Sequence, residues 1–528
     1  MDETTPVLIV GGSMVGLAQA LFLAQQGIRP ILVEQHAEIS AHPRAQAASP
    51  RTMELMRALG LEKAVRAQEN PYARYGNILQ AESLVGAELG WFDGPFRHTA
   101  NEFSATGWTL IGQDRFEPVL RDRAEELGAD VRFATELVRH EQDADGVSAV
   151  LRDLRTGEEH TVRAQYLIAA DGHRSSVRQG LGIATHGQGV FGRQLNVIFH
   201  ADLDGYVGDR EFFLCFINNA EVKGVLGKLD DVDRWVLAPS LAPEESHNDY
   251  PAERCAELVR AAVGVADLPV AVETVTSWEI SARIADRFRA GRVLLVGDAA
   301  HVMPPTGGFG GNMGIQDAHN LAWKLALVLS GRATPDLLDT YEEERLPVAE
   351  FTVEQGVIRY LQRSGLDEDF AARHRPEPTV LFGHVYRSRA VLAEDTAAEP
   401  DGGAAAVDPL STGGRPGTRA PHLTFRHNNL EIAPHDLLSG GFLLIAGPEG
   451  GAWEDACHAA RTRTGLRLDV CRPDDDGPLG AAYGIGRSGA ALIRPDGFIA
   501  WRSRDLPAAP AEKLATALDR LLHSGAVR

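Results

Sequence analysis

PVLIVGGSMVGLAQALFLAQQGIRPILVE, Pro6 to Glu34, is the stretch that decides the fold. Pro6 to Val10 is a short apolar run that reads as a buried strand, and Gly11-Gly12-Ser13-Met14-Val15-Gly16 is the glycine turn behind it. Leu17 to Gln26 is apolar at helical spacing and stops at Gly27, and a second strand, Arg29 to Val33, ends on Glu34. Strand, glycine turn, helix, strand and acid, with the acid about 20 residues after the first glycine, is the layout of a dinucleotide-binding unit. There the free N–H groups and dipole of the helix start hold a pyrophosphate, and the acid takes ribose hydroxyls. Ser13 stands where the pattern's second glycine lets the backbone approach the phosphates; a serine still permits binding and can add a hydroxyl contact. The strict G-x-G-x-x-G spacing occurs instead at Gly484 to Gly489, with no strand before it and no helix behind it, so it reads as loop. One nucleotide site follows, not two.

Gly291 to Asn320 has a related construction. Arg292 to Val296 reads as a buried strand with Asp298 at its carboxyl end, where open α/β sheets bind ligands. Pro304-Pro305 fixes an extended turn, and Gly307, Gly308, Gly310, Gly311 and Gly314 leave the backbone bare ahead of an amphipathic helix, Ile315 to Leu329. Such a helix start attracts negative charge. A third strand, Tyr166 to Ala170, ends in Asp171-Gly172 before another helix start.

The 528 residues suffice for two to four domains and a large core. A net charge of −21 argues against nucleic acid and anionic membrane surfaces as partners, because both need basic patches. No window reaches the ~18 to 20 apolar residues of a membrane span and no cleavable leader is visible, so a cytoplasmic protein is expected. Four cysteines, none in a C-x-x-C pair, exclude a disulfide framework and a cysteine zinc site; no metal is expected.

Between these motifs, Arg44 follows a proline in an extended segment and Ser49-Pro50 opens a helix. Gln113-Asp114-Arg115 opens another, and Val147 to Leu151 with His160 to Val162 reads as a hairpin. Ala184 to Glu279 is strand-rich without a glycine fingerprint, as an inserted antiparallel layer would be. A long helix is expected through Val353 to Arg363, and Thr396 to Gly417, rich in Ala, Gly, Pro and Asp, reads as linker. Beyond it a small α/β unit is expected, with no cluster of titratable residues at catalytic spacing.

Taken together, Gly11 to Gly16 with Glu34, Tyr166 to Arg178 with Asp171-Gly172, and Gly297 to Gly314 resemble the three fingerprints of FAD-dependent aromatic hydroxylases, the single-component flavoprotein monooxygenases of the para-hydroxybenzoate hydroxylase type. The tail, with Arg415 to His422 and Leu492-Ile493-Arg494-Pro495-Asp496-Gly497, resembles the thioredoxin-like C-terminal domain of phenol hydroxylases and aromatic-polyketide hydroxylases. The resemblance implies an α/β fold: a Rossmann-like FAD-binding domain (1–74, 113–183 and 280–365), an inserted α+β substrate domain with a mostly antiparallel sheet (75–112 and 184–279), a linker region (366–417) and a thioredoxin-like domain (418–528). Without a C-x-x-C pair, that last domain is expected to be structural or homodimer-forming.

Carried over residue by residue, the resemblance places Glu34 at the adenosine ribose, Arg44 and Gln113 at the phosphate and ribityl region, and Asp298 at the ribityl or pyrophosphate. The loop Pro305 to Asn312 would wrap the isoalloxazine, with backbone N–H groups of Gly311 and Asn312 facing its pyrimidine oxygen; Asp171-Gly172 would serve FAD and NAD(P)H. Val15, Gln35, Leu137, Gly308 and Gly310 complete the implied cofactor set, although Gly311, like Ser13, departs from the commonest residue. The implied reaction is NADPH- or NADH-dependent insertion of one oxygen of O2 into a polycyclic aromatic polyketide through a flavin C4a-hydroperoxide, with FAD held non-covalently. No motif marks the residue that activates the substrate. Baeyer-Villiger or rearrangement chemistry on a similar quinone, and a non-catalytic flavin- or intermediate-binding homologue, stay open. A flavin halogenase is disfavoured because Trp278-Glu279-Ile280 stands without the rest of a Trp-x-Trp-x-Ile signature.

Overall fold

The structure, a computed structural model, describes residues 3–523 apart from 40–44, 71–76, 93–101, 230–231, 243, 364–369, 393–401, 439 and 475–476. Arg44 therefore lies outside the described residues.

Among the described residues, the spine of an eight-stranded sheet consists of parallel strands in the order Val293–Leu295, Glu159–Ala169, Glu3–Val10, Ile31–Val33 and Asp130–Arg132. Val7, Leu8, Ile9, Leu32, Leu167, Ile168 and Val293 to Val296 are completely or almost completely buried, as befits parallel strands covered on both faces. The sequence reads the hairpin at His160 and the apolar run at Tyr166 as separate pieces, but they form one strand, Glu159–Ala169. Its first half pairs antiparallel with Val147–Asp153, and nearly its whole length runs parallel to Glu3–Val10.

A second eight-stranded sheet runs in the order His301–Val302, Ala271–Ala285, Thr185–His200, Arg234–Leu241, Lys223–Lys228, Leu214–Asn218, Ile78–Ala81 and Glu88–Phe92. It is antiparallel except where Leu214–Asn218 pairs with Ile78–Ala81. The helix Ala252–Val263, not foreseen from the sequence, buries Cys255, Val259 and Val263 in this layer's core and closes at the left-handed Gly264. Residues 77–92 belong to this sheet, whereas Thr109 pairs with Ala48 and Ile111 lies in the nucleotide-domain core.

At the C-terminus, Phe442–Ala446, Ala452–Thr464 and Leu468–Cys471 form a parallel βαβ unit, followed by the hairpin Ala490–Ile493/Ile499–Ser503 and the helix Pro510–Leu522. The strand order, with Leu468–Cys471 outside Phe442–Ala446, is thioredoxin-like. Gly484 closes the short helix Leu479–Tyr483 in a left-handed turn, so the second G-x-G-x-x-G is loop. Within 366–417, read as a linker, Glu377–Phe382 is instead a helix whose Val380, Leu381 and Phe382 are buried, and Leu392 N–H bonds to Ala500. Local composition conceals this because the apolar run is only three residues long and its partners lie elsewhere in the chain.

The C-terminal hairpin turn is tied to the nucleotide domain by charge. Glu344, on the long helix Asp339–Arg363, accepts from Lys324 Nζ (2.8 Å), Asn320 Nδ2 (2.8 Å), Ser388 Oγ (2.6 Å) and both terminal nitrogens of Arg494 (2.6 and 2.8 Å). Asp496 accepts from Arg494, Asn320 and Trp323, and its carbonyl takes Arg51 Nη2 at 2.6 Å. Burial pushes the Lys324 ammonium down to about 8 despite Glu344 beside it.

Three inward-packed histidines, His384 buried and His319 and His435 half-buried, make the fold acid-sensitive. Burial lowers His319 and His384 to about 3 and holds His435 well below its usual value. Each is neutral when folded and takes up a proton when unfolded below about pH 6.5, so stability rises with pH through that window and is lost as pH falls. The thermal midpoint should fall steadily from pH 7 to pH 5, and His319→Gln should flatten the slope by about one proton. An unchanged slope in that variant would contradict the assignment.

Candidate cofactor and active site

The two glycine-rich stretches meet at Val15 and Met14. A Cβ on Gly297 would lie 3.0 Å from Val15 Cγ2, and one on Gly314 2.6 Å from the same atom. A Cβ on Gly311 would fall 2.2 Å from Met14 Cε. The starts of the helices Met14–Gln25 and Phe309–Leu329 are thus packed side by side, each without a side-chain N-cap hydrogen bond. Helix starts leave N–H groups unsatisfied and carry partial positive charge, so their shared edge suits an anionic dinucleotide.

Gly11 has φ +107° and a Cβ there would sit 2.3 Å from the Ala170 carbonyl oxygen, which is why no side chain fits at this turn. Glu34 closes it from the other side, accepting from Gly12 N–H at 2.7 Å and from His36 N–H at 2.9 Å. His36 Nδ1 also meets this carboxylate at 2.5 Å, so of its about four acceptor positions one is left for a ribose hydroxyl. Gln35 beside it is exposed, and Leu137 packs against the core on the strand Thr135–Gln142.

Ser13 and Gln113 are brought together by a residue the sequence did not single out. Glu117, 1% exposed, accepts from Ser13 Oγ (2.7 Å), Met14 N–H (2.7 Å) and Gln113 Nε2 (2.6 Å). Gln113 also donates to Ser13 Oγ at 2.8 Å. The Ser13 hydroxyl is therefore directed at the Gln113–Glu126 helix. The only sequence signal was the four-residue step from Gln113 to Glu117, which puts both on one helical face.

Asp171 Oδ2 accepts from Val177 N–H at 3.1 Å, while its buried Oδ1 has no hydrogen-bond partner among the described residues; Gly172 beside it is open, at φ +79°. Arg178 joins this motif to the next by donating to Ala299 O at 2.9 Å and His173 O at 3.1 Å. Asp298 is exposed at the carboxyl end of Val293–Leu295, next to Gly297. These features meet a dinucleotide's needs: a bare glycine cradle, two helix starts, an orphaned carboxylate oxygen and an accessible carboxylate.

The Pro305 to Asn312 turn is held from behind. Gly308 is left-handed at φ +65° and starts the Phe309–Leu329 helix. Asn312 spends its side chain on protein: Oδ1 accepts from Ser49 N–H (2.8 Å) and Thr52 Oγ1 (2.6 Å), and Nδ2 donates to Ala47 O (3.0 Å) and Gly308 O (2.7 Å). Its backbone N–H, with those of Gly310 and Gly311, belongs to the helix's first turn. Below the turn, His301 Nε2 meets Asp317 at 2.6 Å and Arg345 Nε donates to Asp317 at 2.7 Å, all three essentially inaccessible.

Beside the turn lies an aromatic wall. Trp108, Phe309, Val380, Leu381 and Phe382 are buried together, with Phe103 and Met303 against them. Phe103 and Phe382 stack at 6.2 Å and 11°. These side chains form a dry aromatic layer packed against the turn.

Residues 4–356 match the FAD binding domain family, and residues 413–524 match the aromatic-ring hydroxylase C-terminal family. The chain is 43% identical to a 4-methyl-5-nitrocatechol 5-monooxygenase of Burkholderia sp., covering 99% of this chain and 98% of that one. It is 41% identical to a tetracenomycin A2 monooxygenase-dioxygenase of Streptomyces glaucescens over 98% and 97% of the two chains. It superposes with a TM-score of 0.92 on a ternary complex of aklavinone-11 hydroxylase with FAD and aklavinone, at 37% identity and 99% coverage of both chains. The chain belongs to the FAD-dependent aromatic-ring hydroxylases, monooxygenases that use FAD, O2 and a reduced nicotinamide.

Proposed function

We propose that the substrate is a polycyclic phenol or quinone of the aromatic-polyketide kind, hydroxylated at a ring carbon. The aromatic wall beside the Pro305 to Asn312 turn carries this reading, supported by whole-length similarity to relatives named for tetracenomycin and aklavinone. A monocyclic nitrocatechol is the second reading, favoured by the 43% identical relative. A cytoplasmic setting, where reduced nicotinamide is at hand, accords with four free buried cysteines.

In this reading Gly11 to Gly16 and Glu34 hold the adenosine end of FAD, Gln113 and Asp298 its middle, and Pro305 to Asn312 the ring. Bound FAD, once reduced by NAD(P)H, supplies the activation of O2. The protein supplies field and enclosure. The first-turn N–H groups of Gly310, Gly311 and Asn312 stabilise negative charge set against them, and the buried Asn312 side chain keeps that turn from rotating away. Trp108, Phe309 and Phe382 exclude water from the ring being oxidised.

Asp298→Ala should weaken FAD retention by roughly 10-fold, the worth of one hydrogen bond to a charged group, as read by flavin fluorescence on dilution. Retention equal to the parent would remove Asp298 from the site. The substrate reading is tested by NADPH oxidation with 2,6-dihydroxyanthraquinone and with 4-methyl-5-nitrocatechol: stronger stimulation by the tricyclic compound supports it, and stimulation by the catechol alone overturns it.

A further inference from the structure

Glu377 is a half-buried carboxylate held against the aromatic wall, and no step described so far uses it. It opens the helix Glu377–Phe382, whose Val380, Leu381 and Phe382 build the aromatic wall. Its Oε1 accepts from Trp108 Nε1 at 3.0 Å. The far edge of that indole lies 3.7 Å from where a Cβ on Gly308 would stand. One buried indole therefore separates the carboxyl from the turn that starts the Phe309–Leu329 helix. Among the described residues, no side chain engages Glu377 Oε2 with a hydrogen bond. The charged group that acts on it is Arg359, whose guanidinium lies 5.2 Å from the Phe309 ring centre and donates to Gln355 and to the Arg375 carbonyl.

We propose that Glu377 is a substrate-contacting residue: anchored by Trp108, it presents its second carboxyl oxygen to a ring hydroxyl at the end of a fused-ring substrate remote from the flavin-facing turn. The inference rests on the polycyclic reading above and deepens it. A monocyclic ring held at the turn would not span the indole, whereas fused rings stacked on the wall would carry a hydroxyl to Glu377. Ionised, the carboxylate accepts from a phenolic O–H; protonated, it donates to a quinone oxygen. Burial pushes this carboxyl up to about 7, against the Trp108 hydrogen bond and Arg359, which pull it down, so both forms are accessible near neutral pH.

The test uses the FAD-loaded enzyme and perturbation of flavin absorbance by 2,6-dihydroxyanthraquinone and by unsubstituted anthraquinone. Glu377→Gln, which keeps an acceptor for Trp108, should raise the Kd of the dihydroxy compound roughly 10-fold and leave that of anthraquinone unchanged. Anthraquinone binding is thus the internal control for folding, with the thermal midpoint beside it. In the parent, the Kd of the dihydroxy ligand should change with pH around 7, and this dependence should vanish in Glu377→Gln. Equal effects on both ligands, or a pH dependence that survives in the variant and so belongs to the ligand, would overturn the role of Glu377 alone. A parent enzyme that binds neither tricyclic compound overturns the polycyclic reading and this inference with it.

Discussion

Glu344→Ala should lower the stability of the protein by about 3–5 kcal/mol, the largest effect expected of any side chain outside the cofactor site. The carboxylate is fully buried and gathers Lys324, Arg494, Asn320 and Ser388 from three separate parts of the chain. Burial opposes its ionisation, but Arg494 and Lys324 outweigh that and hold its pKa far below the usual carboxylate range. Removing it leaves Asp496 to balance both Lys324 and Arg494, so one buried cation is uncompensated in a site that water does not reach, and that is what makes breaking such a cluster costly. The Arg494–Gly497 turn should then loosen from the Phe309–Leu329 helix, because Asp496 alone would balance Arg494. Glu344→Gln, which keeps the shape and loses the charge, should fall between alanine and parent. Urea and thermal unfolding check this; a midpoint within about 1 °C of the parent for the alanine variant would contradict it.

Gly11→Ala should abolish stable FAD binding while leaving the other domains folded. The residue needs φ +107°, which costs an L-amino acid about 1–2 kcal/mol, and its Cβ would overlap the Ala170 carbonyl, a backbone group that cannot swing aside. Relieving that contact displaces the turn from the Met14–Gln25 helix start or from Glu34, whose 2.7 Å bond to Gly12 N–H sets the turn's shape. Together these should raise the FAD Kd by about 100-fold or more, giving colourless protein after gel filtration. Gly27→Ala is the control: its φ is also positive, at +81°, but nothing lies within 4 Å of the new Cβ. It should cost some stability and keep its flavin. If Gly11→Ala elutes yellow at full occupancy, the turn is not the cofactor cradle.

What was legible in the sequence was local. Gly11 to Glu34 states its strand, turn, helix and acid within one contiguous stretch, and each residue's role depends on neighbours a few positions away. The strand before Asp298 and the turn at Gly307-Gly308 could be read for the same reason, but the helix behind them begins at Phe309 rather than Ile315, so Gly310, Gly311 and Gly314 lie inside it rather than in a loop ahead of it. Glu117 could not: its work at the first helix start is done about a hundred residues from its own position, and a glutamate inside a polar helix looks like solvated surface. The clamp at Glu344 and Arg494 joins residues 150 positions apart, and only the fold reveals that this Glu and this Arg face no water. The long helix Asp339–Arg363 runs through Pro347, where local rules place a break, because its inward side chains Tyr341, Val348, Val353 and Val357 pack into the core. Trp108 and Glu377 come from distant segments of no particular periodicity, which is why the aromatic wall and its carboxyl were not visible before the chain was folded.

The glycine turns at Gly11 and Gly308 are proposed to form one FAD site that directs oxygen onto an aromatic ring. It is tested most directly by turnover of the FAD-loaded enzyme with NADPH and 2,6-dihydroxyanthraquinone under isotopically heavy O2. One heavy oxygen atom is expected in the hydroxylated product for each NADPH oxidised; NADPH consumed with no labelled product, only hydrogen peroxide, would contradict this site and its chemistry.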